Sequence, residues 1–268
     1  MMRQIGSLGP RSDLWSAAMA RPLEIDHATR FGDRRVAEDE KGSLVRAVFR
    51  NVAPRYDLMN DLMSAGIHRV WKRTMVNRVA EGGAGVAVDV AGGTGDIAFR
   101  LKEKGFEVAV VDINDAMLGV GRDRALDRAV TDGITWTCGD AEALPLRDSS
   151  VDAYTIAFGI RNVTHLSQAL GEARRVLKPG GRFACLEFGH VVVPVIDQLY
   201  ARYSDAVLPR LGGIIAGDAD SYRYLVDSIR AFPQQADFAA LVAEAGLAHV
   251  GTTNLSGGIA ALTTAWRL

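Results

Sequence analysis

The sequence is poor in the features that mark several classes of protein. Its 268 residues include 2 cysteines, too few for a disulfide scaffold, and no spacing of histidine and cysteine suggests a metal site. Basic residues (31) nearly balance acidic ones (32), so the net charge of −1 gives no broad affinity for nucleic acid. No apolar run approaches the roughly 20 residues of a membrane-spanning helix. The length predicts a globular protein of one large domain or of a domain with additions, and its 48% hydrophobic content is ample for a core.

The first 40 residues differ in composition from the rest of the chain. They hold six arginines and scattered serine and proline, with no apolar stretch typical of a secretory signal. Residues 1–23 contain a single acid, Asp13, and partly fit an organellar transit peptide, whereas a disordered tail or an upstream start codon explains the same composition. We predict a flexible tail over residues 1–40 and a single domain over residues 41–268.

Strand-like apolar runs alternate with helical patterns between residues 86 and 188, and this alternation predicts a doubly wound α/β sheet. Two more runs, residues 248–254 and 259–266, predict a closing strand pair. The predicted fold is a Rossmann-like, mostly parallel, seven-stranded sheet. Cys138 and Cys185 fall within predicted strands, so we expect buried thiols in a reducing compartment.

Helical spacing of apolar residues occurs on both sides of these strands. Residues 44–52 and 71–79 predict a helical cover before the first strand, and residues 237–245 predict a helix near the end. Residues 191–235 interrupt the sheet pattern and predict a helical lid insertion. Pro179 and the glycines after it are expected to end a helix before the strand at residues 183–188.

The most informative motif lies at residues 86–96, where an apolar run ends in a glycine cluster and an aspartate. Gly93 and Gly95 allow a tight turn and close approach of a ligand to the backbone. Asp112 ends the next apolar run, near the position that binds a ribose in nucleotide folds. The layout predicts a nucleotide-type cofactor at the carboxyl edge of a parallel sheet.

Asp96 bears on the choice between two such cofactors. The glycines also fit a dinucleotide fingerprint, but a carboxylate at the helix N-terminus would repel the pyrophosphate. The cationic amino-acid end of S-adenosylmethionine (SAM) would be tolerated better. Asp112 would accept hydrogen bonds from both ribose hydroxyls, and Asp140, after a third predicted strand, can reach the adenine amino group. The acids therefore favour SAM over a nicotinamide cofactor.

These motifs together resemble those of the class I SAM-dependent methyltransferases. Four further blocks resemble those of the ubiquinone/menaquinone biosynthesis C-methyltransferases, and the resemblance runs from about Phe31 to Leu268. The blocks cover residues 56–71, 158–163, 175–188 and 218–230. The resemblance implies C-methylation of a polyprenylated quinol, either demethylmenaquinol or a 2-methoxy-6-polyprenyl-benzoquinol.

Some positions depart from the pattern of that family: Ala157, Gly189, Gly217 and Thr263. They leave open a related methyltransferase that acts on another isoprenoid or phenolic small molecule. An alternative of another class is a SAM-binding scaffold in a quinone-biosynthesis complex.

The resemblance also implies roles for individual residues. The positions that bind SAM or shape its loop are Asp89, Gly93, Thr94, Gly95, Asp112, Asp140 and Ala141. The candidate substrate contacts are Tyr56, Asn60, Tyr222 and Arg223.

Two residues are candidates for catalysis. Arg161 either stabilises a developing phenolate, orients a water that takes the proton, or holds its loop through an ion pair. His68 titrates near neutral pH and is either a proton acceptor or a packing residue of the cover. No metal is required. His165 precedes a predicted helix and is expected to be an exposed near-cap residue.

The tail of the implied acceptor bears on partners and location. A polyprenyl chain stays in the bilayer, so we expect transient contact with the membrane surface through the N-terminal cover and residues 191–230. We also expect a homodimer or a quinone-biosynthesis complex, and no nucleic-acid partner. The expected location is cytoplasmic, peripheral at the membrane, or the mitochondrial matrix if the N-terminus is a transit peptide.

Overall fold

A seven-stranded sheet forms the centre of the computed structural model, which describes residues 27–53, 60–61, 64, 66–130, 132–192 and 219–268. A two-residue ribbon, β1 (Arg30–Phe31) and β2 (Arg34–Arg35), precedes it. The strands of the sheet are β3 (Val86–Val90), β4 (Glu107–Asp112), β5 (Ile134–Cys138), β6 (Val151–Ala157), β7 (Leu177–Phe188), β8 (Ala248–Leu255) and β9 (Ala260–Trp266). Their spatial order is β5-β4-β3-β6-β7-β9-β8, and β9 alone runs in the direction opposite to the other six strands. The predicted fold class is confirmed.

Helices pack on both faces of this sheet. They are α1 (Glu38–Val52), α2 (His68–Ala80), α3 (Asp96–Glu103), α4 (Asp115–Asp127), α5 (Leu166–Val176), α6 (Ala219–Ala231) and α7 (Gln235–Glu244). α1 begins six residues before the predicted start. Its first turn is acidic, and acidic side chains stabilise a helix N-terminus because they interact with the positive end of the helix dipole. α6 lies within the predicted lid insertion, of which residues 193–218 lie outside the described residues.

The core consists of two apolar layers separated by the sheet. One layer packs α2 and α3 on the strands, for example through Met75 and Leu101. The other packs α5 and α7, and the buried residues of α5 recur at helical spacing. Residues 87–90 of β3 are all buried, as expected for a central parallel strand that is covered on both faces. No helix of the described residues is long and apolar enough to cross a membrane.

The sequence-based boundary of the folded chain at residue 40 is too late. His27 and Lys41 are buried, and the Lys41 ammonium donates to the carbonyls of His27 (2.7 Å) and Val163 (2.9 Å). The Phe31 ring stacks on Tyr224 of α6, with 4.4 Å between centroids. These contacts fix the chain, from residue 27 onward, to the loop after β6 and to α6. The division into a tail and one domain otherwise stays a prediction, since residues 1–26 lie outside the described residues.

Two further expectations are wrong in detail. β7 begins at Leu177 and not at residue 183, because Leu177 pairs with Val151 of β6. The Pro-Gly-Gly segment then forms a bulge, and pairing with β6 resumes at Arg182. Cys138 is exposed, whereas Cys185 is buried as predicted. Cys138 ends β5, and β5 is an edge strand of the sheet with fewer covering neighbours.

Candidate functional site

A pocket opens at the carboxyl ends of β3, β4, β5 and β6, where the strand order reverses direction between β3 and β6. Its empty volume is about 790 Å³, a figure that includes the open mouth. One wall is a face of α1. The opposite wall comes from the loops after β5 and β6. The lining residues are Gly42, Val45, Arg46, Phe49, Ala91, Asp112, Ile113, Asn114, Met117, Gly139, Asp140, Ala141, Glu142, Phe158, Gly159, Asn162, Val163 and Thr164.

The glycine loop between β3 and α3 lies beside this pocket. Gly93 and Gly95 both have positive φ angles, +53° and +81°. A side chain at Gly95 would also collide with the Trp136 ring, since a Cβ there would lie 2.4 Å from it. The sequence prediction of a tight turn at these glycines agrees with their backbone conformation.

Asp112 lines the pocket at the end of β4 and is almost fully buried. Its two carboxylate oxygens accept the backbone N–H groups of Gly93 (2.9 Å) and Asn114 (2.8 Å). Burial outweighs these bonds and raises the pKa of Asp112 to about 6. Each oxygen keeps a lone pair, so the carboxylate can still accept a pair of ribose hydroxyls.

Asp140 and Ala141 also line the pocket, on the loop after β5. One Asp140 oxygen accepts the backbone N–H of Glu142 at 2.9 Å, while the side chain remains exposed. This leaves acceptor capacity for an amino group of a ligand. Asp112 therefore fits the ribose of SAM, and Asp140 fits its adenine. The sequence predicted SAM binding from these two acids.

The other residues predicted to bind SAM lie beside the pocket. Thr94 is buried, and its hydroxyl accepts a hydrogen bond from Arg124 at 2.7 Å. Asp89 lies beneath the glycine loop, where it accepts the Thr155 hydroxyl at 2.9 Å and where burial raises its pKa to about 7. Asp89, Thr94, Gly93 and Gly95 are not among the lining residues, so their direct contact with SAM stays a prediction.

Asp96 is paired, which the sequence argument did not foresee. Its carboxylate binds the Lys72 ammonium of α2 at 2.8 Å and the Arg100 guanidinium at 3.3 Å. Burial would raise the pKa of Asp96, but these cations outweigh it and lower that pKa to about 2. Lys72 therefore offsets the repulsion that Asp96 alone would exert on an anion. Asp96 by itself does not exclude the pyrophosphate of a dinucleotide.

Replacing Lys72 with methionine is expected to lower the free energy of unfolding at pH 7 by about 3 kcal/mol, because it leaves Asp96 largely buried without its main partner. A carboxyl with a lowered folded pKa stabilises above its unfolded pKa and loses that effect as pH falls through the folded pKa. The difference between variant and wild type should thus shrink as pH falls from 5 towards 2.

Urea denaturation at several pH values measures this difference. Arg100→Met is the matched control, with an expected loss of about 0.5 kcal/mol for a more exposed pair one helical turn apart. A Lys72→Met protein as stable as the wild type would contradict the assignment.

Arg161 lies in the short helix Ile160–Asn162 after β6 and is buried. Its guanidinium binds the Glu187 carboxylate at 2.6 Å and the Phe158 carbonyl at 2.7 Å. Burial raises the pKa of Glu187, and the Arg161 charge opposes that rise. Arg161 does not line the pocket. The geometry is that of the loop-holding ion pair, one of the alternatives considered for this residue, and a catalytic role stays a prediction.

His68 lies at the start of α2, also outside the pocket lining. Its Nε2 binds the Asp61 carboxylate at 2.9 Å, while burial and the nearby Lys72 charge lower its pKa. Asn60 is buried beside it, and the Asn60 carbonyl accepts the Ser64 hydroxyl. These bonds agree with a packing role in the cover, and proton transfer by His68 stays a prediction.

The remaining predicted substrate contacts are Tyr56, Tyr222 and Arg223. Tyr56 lies outside the described residues, as does the side chain of Tyr222. Arg223 is exposed on α6 and does not line the pocket. Among described side chains, no group of three His, Cys, Asp or Glu is placed to hold a metal.

Sequence reasoning missed several residues of the site. Asn162 lines the pocket, and its amide oxygen accepts the Tyr224 hydroxyl at 2.9 Å, which joins α6 to the pocket. Glu187, the partner of Arg161, carried one signal: it is an acid within the apolar run of β7. His165 is half-buried between two carboxylates rather than exposed.

The sheet order, the glycine loop and the buried acid after β4 together define a class I SAM-dependent methyltransferase. A family model, that of the ubiE/COQ5 methyltransferase family, matches residues 34–267. The chain belongs to that family, and SAM is its methyl donor.

Individual relatives agree with this assignment. The ubiquinone/menaquinone biosynthesis C-methyltransferase UbiE of Brucella canis is 55% identical over 243 residues, which is 89% of this chain and 90% of the relative. Among solved structures, a possible histamine N-methyltransferase of Thermotoga maritima has a TM-score of 0.59 at 19% identity, covering 84% of this chain and 100% of that one. A Haemonchus contortus phosphoethanolamine N-methyltransferase, solved with SAM, has a TM-score of 0.54 at 14% identity, covering 74% and 52%. The two structures bear on the fold alone.

Proposed function

We propose that the protein transfers the methyl group of SAM to a ring carbon of a polyprenylated quinol in ubiquinone and menaquinone biosynthesis. The acceptors are demethylmenaquinol, 2-methoxy-6-polyprenyl-benzoquinol, or both. The observation that carries this proposal is the 55% identity, over 89% of the chain, to a C-methyltransferase of that pathway. The pocket with Asp112 and Asp140 supports the donor half of the reaction.

The residues of the pocket would hold the donor in a fixed orientation. SAM, when bound, supplies an electrophilic methyl group on a sulfonium. Asp112 would accept the ribose hydroxyls, Asp140 would accept the adenine amino group, and Ala141 would pack against the base. The apolar side chains of Val45 and Phe49 on α1 would exclude water from the site.

The acceptor carbon becomes nucleophilic when the neighbouring phenolic hydroxyl loses its proton. Arg161 adjoins Asn162, which lines the pocket, so Arg161 would act on the reaction by fixing this loop through Glu187. His68 would fix the cover through Asp61. Tyr56, Asn60, Tyr222 and Arg223 remain proposed contacts of the acceptor.

The lipid tail of the acceptor determines where the enzyme must work. We propose transient contact with the membrane surface, since a polyprenyl chain stays in the bilayer while only its ring reaches the enzyme. Self-association, or assembly with other quinone-biosynthesis proteins, would suit a reaction at that surface. Comparing turnover of a short-chain and a long-chain quinol, each with and without lipid vesicles, tests the contact.

Incubation with methyl-labelled SAM and each short-chain quinol under reducing conditions tests the function. Label is expected in the ring of at least one of the two quinols, demethylmenaquinol or methoxy-benzoquinol, and absent from a simple phenol used as control. Donor binding is measured separately by calorimetry. Intact SAM binding with no label in either ring would reject the quinol assignment and favour another isoprenoid or phenolic acceptor.

A further inference from the structure

We propose that His165 is a positioning residue that, in its protonated form, fastens helix α1 over the SAM pocket and so couples donor binding to pH. The inference rests on the proposed use of this pocket for SAM. His165 itself does not line the pocket, although it contacts the lining residue Glu142, and no step of methyl transfer needs it.

Both ring nitrogens of His165 face carboxylates. Nδ1 lies 2.6 Å from an oxygen of Glu142, and Nε2 lies 2.5 Å from an oxygen of Glu38. A neutral imidazole carries one N–H and can donate to only one of these acceptors, whereas an imidazolium donates to both. The observed double contact is therefore satisfied only when His165 is protonated.

The two carboxylates lie on different elements around the pocket, and Glu142 itself lines the pocket whereas Glu38 does not. Glu38 is the first residue of α1, whose face lines one wall through residues such as Val45 and Phe49. Glu142 lines the other wall, and its second oxygen accepts the backbone N–H of Thr164 at 2.6 Å. The imidazolium thus connects the walls between which the donor would lie.

The charges around His165 favour its protonated form. Burial opposes the charge, but the hydrogen bonds to Glu142 and Glu38 outweigh burial and raise the pKa of His165. Other charged groups near this region are Asp140, two residues before Glu142, Arg46 of α1, which lines the pocket, and Lys41, whose ammonium donates to two carbonyls. His27 is buried beside Lys41, and burial together with that cation lowers its pKa to about 3, so it stays neutral.

The coupling has a definite sign. A histidine with a raised pKa stabilises its contacts at low pH and loses that effect as pH rises through the raised value. Donor affinity should therefore fall as His165 deprotonates. By linkage, donor binding should raise the pKa of His165 and take up protons from the buffer.

Calorimetric titration with SAM from pH 7 to 9, in buffers of different ionisation enthalpy, tests this coupling. This range lies above the pKa of Asp112, so that carboxylate stays charged. We expect Kd of the wild type to rise about five- to tenfold across the range, with proton uptake on binding. His165→Gln should bind with the weaker Kd at every pH and should take up fewer protons than the wild type, with only the uptake by the α-amino group of SAM remaining.

Two further variants separate coupling from general damage to the fold. Glu38→Gln removes one carboxylate, so the midpoint of the pH dependence should move to lower pH. His249→Gln, at an exposed histidine of β8 away from the pocket, should keep the wild-type profile. A structural role without titration would give no such shift of the midpoint.

The outcomes also distinguish this inference from the proposed function. A pH-independent Kd in the wild type, or a wild-type profile in His165→Gln, would overturn the inference. SAM binding with the expected profile but no methylation of a quinol would reject the acceptor and support the role of His165. No SAM binding at any pH would overturn both.

Discussion

Replacing Asp112 with alanine is expected to weaken SAM binding by about two to four orders of magnitude. The carboxylate would accept both ribose hydroxyls, and a hydrogen bond to a charged group contributes about 1.5–3 kcal/mol. The loss also leaves the N–H groups of Gly93 and Asn114 without their acceptor, which loosens the glycine loop. Both effects act on the donor site, so affinity should fall more than global stability.

Calorimetry on Asp112→Ala and Asp140→Ala measures this expectation, with thermal denaturation as a check on folding. Asp140 is exposed, and its loss should weaken binding by about tenfold or less. Folded Asp112→Ala protein that binds SAM with wild-type affinity would remove Asp112 from the donor site.

The strand ends of the site were predictable from sequence, because the carboxyl ends of parallel strands meet at one edge of a sheet. Asp112 and Asp140 follow successive predicted strands, and both line the pocket. The glycine loop was equally predictable from the sequence, because its turn requires residues that tolerate a positive φ angle.

The charged pairs that join separate parts of the chain were not predictable in this way. Lys72 meets Asp96 across 24 residues, and Arg161 meets Glu187 across 26 residues. His165 meets Glu38 across 127 residues. Such pairing depends on how helices lie over the sheet, whereas apolar periodicity reports only which face of each element is buried. The same limit explains Cys138, whose exposure follows from the edge position of β5 and not from its own strand pattern.

This distinction decides how a loss of activity at Arg161 is interpreted. Arg161→Met is expected to lower the free energy of unfolding by about 3–5 kcal/mol, because the charge of Glu187 stays buried without its partner. Urea denaturation measures this loss. The exposed pair Arg78–Glu81 provides the control, and Arg78→Met should cost less than about 0.5 kcal/mol.

A low activity of Arg161→Met alone would not show catalysis, since the ion pair also holds the loop that contributes Asn162 to the pocket. The double variant Arg161→Met/Glu187→Leu removes both charges and should recover most of the lost stability, because no buried charge is left unpaired. If Arg161 acts only by holding the loop, this variant should keep turnover within about tenfold of the wild type. Stabilisation of a phenolate by the guanidinium predicts instead a loss of about 10²–10³-fold in kcat, with folding and SAM affinity intact. The contacts to Glu187 and the Phe158 carbonyl favour the first outcome.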